Sequence, residues 1–307
     1  MSKKIIVVGL SAASVAFITK LRSFDKESEI ICFSAEPDMP YNRCLLADFL
    51  TGELEQQALQ LKDLNFYQNN NIQVFFNTYV TRLDTPNNRV YVQDMAYEYD
   101  YLFLGIGTRP FVPKSLAIDD IKGVFTFHTL QDMVAINQYI DDYKPRNAVV
   151  IGAGLNGMEA VSSLHQKGIE VTVVEAQETI LPGQVQADVA SWLLQHITVA
   201  GVTAYMSTKV VSIQSQQGQV SGALLDSQSV VPADMVIVAA GSLVNSELVQ
   251  HAGIELLNGS IVVSDRMQTS ISNIFAAGDV CIVPDFITKK MVRSTTWSDA
   301  MLQGLCA

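Results

Sequence analysis

The residues best suited to chemistry form two turns of matching spacing. Gly9-Leu10-Ser11-Ala12-Ala13-Ser14 follows the apolar run Ile5-Ile6-Val7-Val8, and Gly152-Ala153-Gly154-Leu155-Asn156-Gly157 follows Ala148-Val149-Val150-Ile151. Each run reads as a strand and each turn opens a helix. Each is followed about 20 positions on by an acidic residue, Glu36 and Glu175, which is the layout of a dinucleotide-binding unit. In such a unit the first glycine permits a tight turn, the second lets backbone approach a pyrophosphate, and the third lets helix pack on strand. The phosphate then rests at a helix N-terminus, where unpaired amides and the helix dipole favour an anion. Two such sites in one chain suggest two dinucleotides held face to face, the arrangement needed to pass a hydride between them.

The two turns differ. The second has all three glycines, Gly152, Gly154 and Gly157. Glu175 should accept the hydroxyls of an adenosine ribose and repel a 2′-phosphate, and the following Ala176-Gln177-Glu178 offers no arginine or lysine to hold one. NADH is therefore favoured over NADPH. The first turn carries Ser11 and Ser14 where glycines are usual. Serine is small enough for close backbone approach, and its hydroxyl can donate to a phosphate.

Cys44 is the one candidate nucleophile. It precedes an expected helix and adjoins Arg43, a setting that lowers a thiol pKa. It could relay electrons as thiolate and mixed disulfide or sulfenic acid, or serve only as a small buried residue. Glu159 stands in the first turn of the helix after the second fingerprint. The four cysteines form no CxxC pair and the four histidines are scattered, so no metal site is expected.

These residues need elements to position them. At 307 residues the chain is long enough for two domains, and 49% hydrophobic with 17% charged residues marks it as globular. A net charge of −11 argues against nucleic acid as a partner. No apolar run reaches the ~18 residues of a membrane span. The cysteine usage fits a reducing cytoplasm. Apolar runs and periodicity predict strands at 5–8, 29–34, 72–77, 80–93, 101–104, 170–174 and 235–239, with three or four more between 202 and 231. They predict helices at 14–22, 130–141 and 189–196, a short one ending near Gly52, and a last one beginning near Trp297.

In order along the chain stand GLSAAS at 9–14, PYNRCLLADFLTGE at 40–53, LGIGTRP at 104–110, GAGLNGME at 152–159, VVE at 173–175, VAAG at 238–241, FAAGDV at 275–280 and TTWSDAMLQG at 295–304. Together they resemble the FAD-dependent pyridine nucleotide-disulfide oxidoreductases. The nearest branch is the one holding rubredoxin and ferredoxin reductases, NADH oxidases, coenzyme A-disulfide reductases and the flavin part of NADH-nitrite reductase. The resemblance implies an α/β fold of two Rossmann-like domains of the glutathione-reductase type. A discontinuous FAD domain (1–110 and 241–307) would receive an inserted NAD(P) domain (111–240).

The resemblance also implies roles. Gly9, Ser11 and Ser14 would cradle the FAD pyrophosphate and Glu36 its adenosine ribose. Arg43 would reach a flavin-nucleotide phosphate, and Val80 would present backbone to the adenine. Gly107, Thr108 and Gly241 would let chain pass close to a cofactor. Gly278 and Asp279 would bind the ribityl chain, Trp297 would lie by the flavin ring, and Glu159 would sit near the nicotinamide. NADH would reduce FAD, and an acceptor would take the electrons: a rubredoxin- or ferredoxin-like protein, a nitrite reductase partner, or oxygen. Some members place a cysteine followed by glycine at the position of Cys44 and reduce disulfides, persulfides or oxygen through it; here Leu45 follows. A third reading is a non-catalytic flavin-binding or regulatory protein like the apoptosis-inducing factors. Relatives usually add a small C-terminal domain that often makes a homodimer, so the expected fold is one without that interface domain.

Overall fold

The computed structural model describes residues 2–116, 118 and 121–307, in two compact units. The first holds the chain up to Asn42, Leu59–Arg109 and Val244–Ala307; the second holds Arg43–Ala58 and Pro110–Leu243. The helices are α1 (Ala12–Phe24), α2 (Leu46–Thr51), α3 (Leu64–Asn69), α4 (Leu130–Tyr143), α5 (Leu155–Gln166), α6 (Ala187–Val199) and α7 (Trp297–Cys306). The division differs from the one expected at 110/111 and 240/241 chiefly in residues 43–58, which group with the second unit. The cause is α2, which buries Leu46 and Leu50 and packs on α4 and α5. Gly52, left-handed at φ +84°, ends α2 and returns its N–H to the Phe49 carbonyl.

The first unit is built on a parallel five-stranded sheet in the order Ile274–Ala276, Tyr101–Leu104, Lys4–Val8, Glu29–Phe33, Ile72–Phe75. Ile5–Val8 and Leu102–Leu104 are buried throughout, the pattern of strands covered on both faces. Helix α1 covers the sheet through Phe17, stacked 4.3 Å from Phe103. Helix α7 in turn packs on α1. The expected strands across 80–93 resolve into an antiparallel sheet of Arg82–Asp84, Arg89–Val92 and Met95–Glu98.

The second unit repeats the plan. Its parallel sheet runs Thr203–Tyr205, Glu170–Val174, Asn147–Ile151, Met235–Val238, Val124–Thr126. An antiparallel sheet of Val210–Gln216, Gln219–Leu225 and Val230–Pro232 buries Ile213, Ala223 and Leu225 against it. Helix α4 opens on a capping box in which Thr129 and Asp132 bond each other's backbone N–H. In both units the fingerprint turn follows the central strand, so it lies at the carboxyl end of the sheet where nucleotides bind in this architecture. Among the described residues no helix is long and apolar enough to cross a membrane.

Candidate functional site

The first turn leaves its strand at Gly9, whose φ of +83° suits glycine. A Cβ there would fall within 3.0 Å of the Gly105 carbonyl. The Gly9 N–H donates to the Phe33 carbonyl at 2.8 Å, and the Gly105 N–H to the Val8 carbonyl at 2.8 Å. Ser11 caps α1 without spending its side chain on the helix. The amides of that first turn have no intrahelical partners, so they suit a phosphate. Ser14 behaves otherwise. It is 1% exposed, and its hydroxyl donates to the Gly9 carbonyl at 2.6 Å. Its proton is already committed inside the turn, so the expectation that Ser14 donates to a phosphate gives way to a role in shaping the loop.

Around that turn, Tyr41 donates its hydroxyl proton to Glu36 Oε2 at 2.6 Å. Val80 packs on the core of this unit, ahead of the strand Arg82–Asp84. Gly107 has φ +57° with nothing within 4 Å of where a Cβ would stand, and Thr108 follows it at the start of a strand. Gly278 (φ +83°) gives its buried N–H to Gln303 Oε1 at 2.8 Å, which fixes the turn into half-buried Asp279. Trp297 opens α7 and packs on the core. Thr296 caps that helix by accepting the Asp299 N–H, and the Asp299 carboxylate accepts the Thr296 and Ser294 hydroxyls. Tyr41 and Gln303 escaped the sequence reading. They lie in the runs 40–53 and 295–304, but their residue types do not announce these roles: Tyr41 reaches back across its loop to Glu36, and Gln303 acts on Gly278, which only the packing of α7 brings near.

The second turn shows the full glycine logic. A Cβ on Gly152 (φ +102°) would fall within 3.0 Å of the Ala239 carbonyl, and one on Gly157 within 3.0 Å of the Gly152 carbonyl. Both faces are closed by packing. Gly154 caps α5, and its nearest neighbour would be Gln184 Nε2, 3.9 Å from a Cβ. Gly241 (φ +120°) faces open space. The glycines thus divide into those that pack and those that leave bare backbone accessible, and Gly154 and Gly241 belong to the second kind, as Gly107 does in the first unit. Residues of this kind, with two helix N-termini, fit a dinucleotide at each turn.

Glu175 is only 8% exposed. Its Oε2 accepts the Ala153 N–H at 2.7 Å and its Oε1 the Gln177 N–H at 2.8 Å. The carboxylate therefore braces the turn itself, and its remaining lone pairs are those left for a ribose.

Cys44, Asp48, Glu53, Glu159, Ser163 and Gln166 line a cleft of about 340 Å³ in the second unit, between α2 and α5. Burial, and then the nearby Asp48 carboxylate, push the Glu159 carboxyl above its ordinary range. Burial, and then Glu159, push the Cys44 thiol up as well. This corrects the expectation of an acidified thiol. Cys44 stands ahead of α2 as expected, in the 3₁₀ turn Arg43–Leu45 that leads into it. Arg43 directs Nη1 to the His128 carbonyl at 2.7 Å. Desolvation in the cleft, and then the Glu159 charge, act on the sulfur in the same direction. Arg43, expected beside a flavin-nucleotide phosphate, is in this unit tied to the segment leading into α4. Among the described residues no cluster of three or more His, Cys, Asp or Glu could hold a metal.

Two parallel-sheet units, each with a glycine- or serine-bearing turn at the same point of its sheet, define a protein of the two-dinucleotide α/β class. Comparison with known proteins gives the family. The family described as pyridine nucleotide-disulphide oxidoreductase matches residues 3–304. An NADH oxidase of Methanocaldococcus jannaschii is 30% identical over 309 residues, 98% of this chain and 68% of that protein. The NAD(P)H nitrite reductase of Bacillus subtilis is 33% identical over 279 residues, 90% of this chain but 34% of that protein. Among solved structures, reduced CoADR-RHD of Bacillus anthracis matches with a TM-score of 0.94 at 30% identity, covering 100% of this chain and 56% of its own. The chain belongs to the pyridine nucleotide-disulphide oxidoreductase family, whose members are NAD(P)H-dependent oxidoreductases using FAD.

Proposed function

We propose that the chain oxidises NADH with FAD bound at the first turn and NADH at the second, and passes the electrons to a separate acceptor. The cofactors supply the hydride and electron chemistry; the protein binds, orients and shields them. The bare backbone at Gly154, beside the N-terminus of α5, carries this reading for the nicotinamide nucleotide. Gly107, the unspent cap of α1 and the Gly278-Asp279 turn support it for the flavin. Glu175, with no basic residue in the three positions after it, favours NADH over NADPH.

The acceptor is a small redox protein, a nitrite reductase partner or oxygen. Relatives named NADH oxidase, rubredoxin reductase and nitrite reductase span these options. A relay through Cys44 is disfavoured, because desolvation and then the Glu159 carboxylate oppose its thiolate. A reducing, cytoplasmic setting suits four cysteines that form no disulfide among the described residues.

The test is spectroscopic. The purified chain loaded with FAD is titrated anaerobically with NADH, and the loss of yellow colour is followed. Oxygen, a disulfide, a rubredoxin and a nitrite reductase module are then added in turn to see which restores it. A chain that holds no flavin, or whose flavin NADH does not bleach, sinks the reading in favour of a binding module. Recovery of colour by the disulfide alone, lost in Cys44→Ser, returns the thiol mechanism.

A further inference from the structure

The two turns of this chain can be superposed in words, because the same contacts recur. Gly9 and Gly152 each leave a central strand with positive φ, and a Cβ on either would strike the carbonyl of the first residue beyond the neighbouring strand, Gly105 or Ala239. Ser14 and Gly157 are likewise equivalent, each five residues beyond that glycine. In the second unit α5 lies so close to its turn that a Cβ on Gly157 would fall within 3.0 Å of the Gly152 carbonyl, and the side chain next to that glycine is the Ala239 methyl, 3.5 Å from where the Cβ would stand. In the first unit the pair is Ser14 with Gly105. The side chain has changed sides.

The exchange is steric. A Cβ on Gly105 would fall within 3.0 Å of Ser14 Oγ and 3.3 Å from the Phe103 ring. Gly105, unlike Gly9 and Gly107, does not have a positive φ, so its backbone would accept an alanine. What excludes the methyl is the serine hydroxyl. That hydroxyl is fully buried, and its one donor is spent on the carbonyl of Gly9, the residue that starts the turn.

We propose that Ser14 and Gly105 are a matched positioning pair for the first dinucleotide turn, replacing the Gly157–Ala239 solution of the second. Ser14 fills the space above Gly105 and ties α1 to the turn by its bond to Gly9. The pair sets where the N-terminal amides of α1 stand relative to the central strand, and so how a pyrophosphate is received. The ligand in this assignment is FAD, and that part rests on the function proposed above.

A double-mutant cycle on the full chain tests it, using Gly105→Ala, Ser14→Gly and the two together. FAD affinity is read by quenching of flavin fluorescence in the flavin-stripped protein. Unfolding midpoints are read without flavin, and NAD⁺ affinity reports the second turn. Gly105→Ala should weaken FAD by about tenfold or more, as overpacking of a closed site does. Ser14→Gly should lower the midpoint by leaving a void. The double variant should recover FAD binding to within about threefold of native, and the midpoint should rise above that of either single variant. NAD⁺ affinity should be the same in all four proteins. Native FAD affinity in Gly105→Ala, or a double variant no better than Gly105→Ala in both readouts, overturns the pair. A native chain that binds no FAD overturns the flavin assignment instead, and the midpoint cycle then decides the pair by itself. Recovery of the midpoint without recovery of FAD affinity overturns the positioning role.

Discussion

Glu159 and Cys44 share one cleft, and the charge on one adds to desolvation in lowering the reactivity of the other. The Cys44 thiol is held above its ordinary pKa by burial and by Glu159, so alkylation of Cys44 near pH 7.5 should be slower than that of a small free thiol. Glu159→Gln removes the opposing charge and should speed alkylation roughly two- to fivefold. Peptide mapping separates Cys44 from Cys306, the other exposed cysteine. Unchanged alkylation in the variant would mean that burial alone governs the sulfur. Glu159 also has a pH signature. Its folded-state pKa is raised, so folding is undisturbed while both states are protonated and is opposed once the carboxyl ionises. Glu159→Gln should therefore raise the unfolding midpoint at pH 7 by about 1–2 °C, with the gain vanishing as pH falls below the ordinary carboxylate range. This coupling was not legible in the sequence. Cys44 reads there as a thiol beside Arg43, while the carboxylate that opposes it stands in the fingerprint of another helix.

At the scale of elements the sequence was far more informative, and the reason is backbone geometry. A residue such as Gly152 is demanded by its φ of +102° and by a carbonyl less than 3.0 Å from any Cβ, so its identity marks its place. The apolar runs 5–8 and 148–151 mark central parallel strands because both faces are buried. The three-residue strand Val124–Thr126 was not legible, being too short to show a period, and α6 extends beyond the expected 189–196 at both ends. Gln303 shows what long-range packing adds. Helix α7 approaches α1 so closely that a Cβ on Gly304 would fall within 3.0 Å of the Ala13 carbonyl. That approach sets Gln303 against the Gly278 N–H. Gln303→Ala leaves this buried amide unpaired, at a cost of about 1–3 kcal/mol. The unfolding midpoint should fall by several degrees and FAD occupancy should drop, measured as flavin absorbance per protein. Full occupancy in a variant of lowered midpoint would confine Gln303 to folding.

For the whole molecule, the decisive property is that two compact units each carry their own turn. A ligand that binds only the folded state stabilises it by RT ln(1 + [L]/Kd), about 2.7 kcal/mol at a hundredfold excess over Kd. That gain belongs to the unit that holds the ligand. Calorimetry of the full chain should therefore resolve two responses. FAD should raise the transition of the unit built on Lys4–Val8, and NAD⁺ that of the unit built on Asn147–Ile151. Variants assign the transitions. Gly157→Ala drives a methyl into the Gly152 carbonyl, so it should abolish the NAD⁺ response and leave the FAD response in place. Gly105→Ala should shrink the FAD response and leave the NAD⁺ response in place. NADP⁺ gives the final comparison, because the carboxylate of Glu175 is buried against the second turn and no lysine or arginine lies in the three residues after it. A 2′-phosphate there would face a fixed negative charge with no partner, so NADP⁺ should shift the second transition far less than NAD⁺ at equal concentration. Equal shifts would remove Glu175 as the determinant, and a single transition that moves as one with either ligand would show that the two units unfold together.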